Sequence, residues 1–195
     1  MYKRQVAGAI KAYGFYPAGG GEIDVSIVPA KVAQELVQVE RGAEHGRSLE
    51  AVLSNLKGDI AKRELAVAGS ALDISEDHQR ITSRASNGPG NVLLARLDYE
   101  NVQAVFASFG ERNVSAEQVA KRLAKTVKSF MGSSAAVTHH LADQLLLPMS
   151  LAKGGQFSTL RPSLHATTNA DVIAKFTGKR IVFEEADTEY LCTIS

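Results

Sequence analysis

One histidine has neighbours whose types and spacing suit phosphate chemistry. His165 falls within Arg161-Pro162-Ser163-Leu164-His165-Ala166-Thr167-Thr168-Asn169. Pro162 breaks a preceding strand, and Thr168 or Asn169 can cap the helix that follows. The sequence therefore places His165 in the turn just before a helix N-terminus. Unpaired backbone N–H groups and the helix dipole favour a bound anion such as phosphate there. A neutral imidazole nitrogen beside a phosphate is a nucleophile, and imidazole in water is mostly unprotonated at pH 7. Attack by histidine on phosphorus would divide a hard transfer into two easier ones. A structural histidine bonding the loop backbone fits the same residues, and local physics leaves both readings open.

A second polar group is His139-His140-Leu141-Ala142-Asp143-Gln144. At helical spacing His140, Asp143 and Gln144 share one face. An imidazole, a carboxylate and an amide together can read the edge of a base and hold ribose hydroxyls; a plain solvated helix face is the alternative. Zinc through His139 and Asp143 is disfavoured, because two ligands are too few and no HExxH pattern exists. Gly19-Gly20-Gly21 lacks the Lys-Ser/Thr of a phosphate-binding loop and reads as a tight hairpin. Gly88-Pro89-Gly90 reads as a turn. Lys121, Lys125 and Lys128 make a basic stripe that can touch an RNA backbone or merely face water.

These groups need elements to hold them. Val6, Ala9, Ile10 and Tyr13 at helical spacing predict the end of a helix over Arg4–Tyr13. Alternation of Ile23, Val25 and Ile27 predicts a strand over Glu22–Val28, stopped by Pro29. Further strands are expected at Glu35–Glu40, Leu49–Leu53, Val92–Leu97, Val102–Phe109, Phe157–Leu160, Ile181–Glu184 and Tyr190–Ile194. A helix capped by Asp59 should run to Leu72. Ser115-Ala116-Glu117-Gln118 is a capping box, followed by inward Val119, Leu123, Val127 and Phe130. Helices are also expected at Ser134–Leu147, ended by Pro148, and from Thr168/Asn169 to Gly178 with Val172, Ile173 and Phe176 inward. The whole is α+β. A change of texture near Arg41 suggests an inserted α/β subdomain at 41–113 within a main domain formed by 1–40 and 114–195.

Composition narrows the function classes. The chain has 195 residues, enough for one domain with a small insert. At 45% hydrophobic residues it has the apolar surface to fold. No window reaches the roughly 18 unbroken apolar residues of a membrane span. The formal charge of +1 argues against a protein that coats long polyanions, while leaving room for a local anion site. One cysteine, Cys192, allows neither a disulfide within the chain nor a thiolate zinc cluster. No secretory signal follows Met1. A reducing, cytoplasmic setting is expected.

Taken together and in order, four stretches resemble the RNA 3'-terminal phosphate cyclase family. They are Gly14-Phe15-Tyr16-Pro17-Ala18-Gly19-Gly20-Gly21-Glu22, Gly88-Pro89-Gly90-Asn91, His140 to Leu145 with Leu147-Pro148-Met149, and Pro162-Ser163-Leu164-His165 with Thr168-Asn169. The resemblance implies repeated βαβαββ units with a smaller α/β insert. It implies that ATP adenylylates a histidine, that AMP moves to an RNA 3'-phosphate, and that the 2'-hydroxyl closes a 2',3'-cyclic phosphate as AMP leaves. The family's nucleophile matches His165, and its ATP-contacting segment matches His140, Leu141, Ala142, Asp143 and Gln144. The first of these positions is often tyrosine in the family. Mg²⁺ is expected with the nucleotide, held largely by phosphate oxygens rather than by a protein metal site, and Arg161 is a candidate phosphate partner by position. Non-catalytic relatives in ribosome assembly lack the histidine, so a non-catalytic ribonucleoprotein-binding role is the alternative, as is an inactive fragment. Family members begin with a further region that has no counterpart here. The chain is accordingly expected to be a fragment, or to pair with another copy or with a separate N-terminal partner.

Overall fold

The structure is a computed structural model that describes residues 5–29 and 34–195. Contacts divide it into two compact units. One takes the described residues of 1–30 with 46–97 and 105–128; the other takes 34–45, 98–104 and 129–195. The sequence grouping instead set 41–113 apart and joined 1–40 to 114–195.

In the first unit, β1 (Gln5–Ala12) pairs antiparallel with β2 (Glu22–Val28): Val6 faces Ile27, Gly8 faces Val25 and Ile10 faces Ile23. The helix expected at Arg4–Tyr13 is thus a strand over its described residues; Arg4 lies outside them. Val6 and Ile10 satisfy the helical period and the strand alternation equally, and pairing with β2 decided the matter. The turn between these strands packs on the second glycine motif. A Cβ on Gly90 would lie 2.2 Å from Phe15 Cγ, and one on Gly88 would lie 2.5 Å from Ala18 Cβ. Gly19 and Gly20 have φ of 65° and 79°, the left-handed region that suits glycine. The glycine run is a tight turn, as its sequence suggested.

The same unit carries β4 (Glu44–Ser54), α1 (Gly58–Leu72), β5 (Gln79–Ser83), β6 (Gly90–Tyr99) and β7 (Gln103–Phe109), although the ends of β4, β6 and β7 pass into the second unit (β3 is given below). The sheet order is β5-β4-β6-β7, with β4 and β5 parallel. Alternation turns Leu93, Ala95 and Leu97 of β6 and Ala104 and Phe106 of β7 inward, and α1 presents Ala61, Leu65, Ala68 and Leu72. Lys57 rather than Asp59 occupies the N-cap of α1; Asp59 lies in the first turn, 3.9 Å from Arg63. The capping box of α2 (Ala116–Met131) is formed as expected. Gln118 N donates to Ser115 Oγ and Ser115 N donates to Gln118 Oε1, each at 3.2 Å.

The second unit contains β3 (Leu36–Gln38), α3 (His139–Ser150), β8 (Gly155–Thr159), α4 (Leu164–Thr177), β9 (Ile181–Ala186) and β10 (Glu189–Ile194). This is one βαβαββ unit. Its sheet runs β3-β8-β10-β9, with β3 parallel to β8 and β10 antiparallel to both neighbours. Ala142, Leu146, Met149, Phe157, Ala166, Ala170, Ile173 and Cys192 form its core.

Two helices here begin elsewhere than expected. Residues 134–138 are not helical: Val137 pairs with Thr159 and donates its N–H to Ser158 O, so α3 starts only at His139. Pro148 lies inside its last turn rather than ending it. Helix α4 starts at Leu164, capped by Ser163, whose Oγ accepts from Ala166 N at 3.1 Å. Thr168 and Asn169 are therefore inside the helix, and His165 belongs to its first turn. Ile173 is buried as expected, whereas Val172 and Phe176 face solvent.

Candidate active site

Helices α3 and α4 both leave from the carboxyl end of parallel backbone, α3 after Val137 and α4 after β8. In open α/β sheets this is the edge where ligands bind. Their first turns carry His139, His140 and His165. The N–H groups of Ala166 and Thr167 are taken by Ser163 Oγ and Ser163 O. The N–H groups of Leu164 and His165, in the same first turn, have no acceptor within the helix and point outward from its positive end.

Packing of α3 on α4 brings the two polar groups together. Asp143 Oδ2 lies 3.0 Å from His165 Nδ1, and Asn169 Nδ2 donates to Asp143 Oδ1 at 3.0 Å. The Asp143 side chain is 22% exposed and that of His165 is 80% exposed. Partial burial works against the charge on Asp143. The hydrogen bonds from His165 and Asn169, with the positive charge His165 and His140 can carry, outweigh it and hold the carboxyl below its ordinary 3.8. An ionised carboxylate only accepts, so His165 Nδ1 must carry the proton, and the lone pair of the neutral ring sits on Nε2. That nitrogen is the one turned away from Asp143.

His139 and His140 stack with ring centroids 4.0 Å apart. Burial, then the charge of His140, lowers the pKa of His139, which favours its neutral form. His140 and Gln144 are exposed and Leu141 is 38% exposed. Ala142 is fully buried and packs into the core of the unit. A cavity of about 510 Å³ opens beside the helix starts, lined by Ser133, His139, Leu160, Arg161, Glu189 and Tyr190 among others. His165 and Asp143 are not among its walls. Among the described residues no three His, Cys, Asp or Glu side chains gather to hold a metal.

The sequence named His165 and Asp143 for different duties and did not see that they touch. It also took Asn169 for a cap. The signal was present: His165 and Asn169 are four apart, and a helix begun at Ser163 would have put both on one face.

A sequence model described as RNA 3'-terminal phosphate cyclase matches residues 1–183. A protein of that name from Koribacter versatilis is 41% identical over 165 residues, covering 84% of this chain and 46% of that protein. One from Pseudomonas aeruginosa is 42% identical over 171 residues, 87% and 50% of the two lengths. One from Salmonella enteritidis is 36% identical over 183 residues, 94% and 54%. The chain spans about half the length of the curated relatives it matches.

Proposed function

Since the chain belongs to the RNA 3'-terminal phosphate cyclase family, we propose that it carries the nucleotidyl-transfer site of an ATP-dependent enzyme that converts an RNA 3'-phosphate to a 2',3'-cyclic phosphate, with His165 as the nucleophile. The observation that supports this most is the contact of His165 Nδ1 with Asp143 at 3.0 Å, which in the neutral ring turns the lone pair of Nε2 outward on an exposed side chain.

In the first step Nε2 attacks the α-phosphorus of ATP. The new N–P bond forms as the bond to the pyrophosphate oxygen breaks. The ring then carries Nδ1–H and Nε2–P together and gains positive charge, which the Asp143 carboxylate stabilises. In the second step an oxygen of the RNA 3'-phosphate attacks the same phosphorus, and neutral His165 leaves. In the third the 2'-hydroxyl, losing its proton, attacks the 3'-phosphorus and AMP departs. That step is intramolecular, so proximity supplies much of its acceleration.

The outward N–H groups at the start of α4 and the guanidinium of Arg161 suit phosphate oxygens. His140, Leu141, Asp143 and Gln144 lie on or beside the nucleotide side of α3 in this reading, and Ala142 contributes by packing. A divalent cation such as Mg²⁺ would be held through the phosphates of the nucleotide, and it offsets their charge when bound. The residues 41–113, closed by α2, are proposed as an insert in the βαβαββ unit, and the lone buried thiol of Cys192 suits a reducing, cytoplasmic compartment.

Incubation with α-labelled ATP and Mg²⁺, with and without a supplied N-terminal portion of a relative, tests the proposal. Acid-labile, alkali-stable label on the protein is expected, and His165→Ala should abolish it. Label that persists in His165→Ala refutes the nucleophile. RNA binding with no label under either condition favours a non-catalytic module.

A further inference from the structure

We propose that Asn169 is a positioning residue: by donating to one oxygen of Asp143 it aims the other at His165, and so fixes which imidazole nitrogen is bare. This deepens the reading of His165 as nucleophile and rests on it. The three side chains come from two helices, Asp143 from α3 and both His165 and Asn169 from α4. Asn169 Nδ2 holds Oδ1 at 3.0 Å while Oδ2 stands 3.0 Å from His165 Nδ1.

Alone, the Asp143 carboxylate could rotate about its last torsion, which is broad for this side chain. His165 cannot supply the missing constraint, because its ring is 80% exposed and touches little else. Asn169 is half-buried on the helix that carries His165, one turn along. Its amide thus measures the carboxylate against the backbone of the nucleophile's own helix.

The choice of an amide is also chemically specific. It donates without charge, so it orients the carboxylate without competing with His165 for the negative charge. A lysine or arginine there would compete, and an aspartate would repel. Ring orientation in turn decides the tautomer. An imidazole free in water prefers its proton on Nε2, which would leave the lone pair on Nδ1, the nitrogen that faces Asp143.

The test is Asn169→Ala, which keeps a good helix former in the middle of α4. With ¹⁵N-labelled histidine, two-bond ¹H–¹⁵N spectra read the tautomer of each ring without any nucleotide. Wild type is expected to hold His165 in the Nδ1–H form. Asn169→Ala should shift it toward Nε2–H while the signals of His45 and His78 stay in place. In the labelling assay the variant should form the histidine adduct about tenfold to a hundredfold more slowly at saturating ATP, with KM for ATP unchanged. An unchanged tautomer in Asn169→Ala overturns the proposal, even if the nucleophile reading stands. A shifted tautomer in a protein whose wild type takes no label upholds the positioning role and removes the nucleotide chemistry built on it.

Discussion

Glu64 is where burial and charge conflict most sharply in this molecule. Its side chain is fully buried in α1, Asn91 Nδ2 donates to Oε1 at 2.5 Å, and Oε2 has no hydrogen-bond partner among the described residues. Loss of hydration dominates the hydrogen bond and pushes its pKa from 4.5 up to about 7. The folded protein therefore binds this proton more tightly than the unfolded chain. Stability from the group is complete below about pH 4.5, is lost as pH rises through about 7, and is level above that. Glu64→Gln keeps the acceptor for Asn91 and removes the charge. It should flatten the decline in stability between pH 5 and pH 8, worth on the order of 1–3 kcal/mol, and be the more stable protein at pH 8. Denaturant titrations at the two pH values measure this, and a wild-type decline that survives in Glu64→Gln contradicts it. Asp143 has the opposite sign, its contribution being present above its ordinary 3.8 and lost as pH falls from there through its lowered value, so the two windows do not overlap. Burial acts on Cys192 as it does on Glu64, pushing the thiol up to about 12 and leaving it a core residue rather than a nucleophile.

At the scale of the element, the first turn of α4 sets where His165 stands. Ser163 Oγ satisfies one of the N–H groups at the start of that helix, while those of Leu164 and His165 have no acceptor within the helix. Ser163→Ala should lower stability by about 1 kcal/mol. It should also slow adduct formation, because a frayed first turn loosens His165; a variant that unfolds earlier yet labels at the wild-type rate would show that the turn does not position the ring. The start of α2 was legible, since Ser115 and Gln118 form a reciprocal box that Asn113 has no partner to match. The start of α4 was not, because Ser163, Thr168 and Asn169 are all capable caps and nothing local ranks them. Packing of Ala166 and Ala170 into the core selected the earliest one. The far end of α2 needed a residue remote in sequence. Arg41 Nη1 donates to Phe130 O at 2.9 Å and Nη2 to Met131 O at 3.2 Å, while the guanidinium stacks 4.8 Å from the Tyr99 ring centroid. No pattern around Arg41 announces that role.

For the molecule as a whole, the exposed surface that stands out is on the β1–β2 hairpin. Directly opposed strand residues share a face, so Val6, Ile10, Ile23, Val25 and Ile27 form one apolar surface, each at least 49% exposed. An apolar sheet face of this kind marks an interface. We propose that another copy of the chain lies on it. Ile10→Asp with Ile23→Asp should then convert associated species to monomers in sedimentation at high concentration, with the melting of the two compact units little changed. A wild-type chain that sediments as a monomer at all concentrations would contradict this.

The sequence by itself determined the chemistry on offer and the family. His165, Asp143 and the glycine turns carry that information in their types and order, and the periodicity of α1, α2, β2, β6 and β7 is local and strong. Tertiary structure alone decided that residues 5–12 are a strand, that α3 waits until His139, and that Asp143 meets both His165 and Asn169. The physical reason is range. Caps and alternation act over a few residues, whereas these outcomes depend on partners far along the chain, and such partners are chosen only when burial of a shared core offsets the entropy of bringing them together.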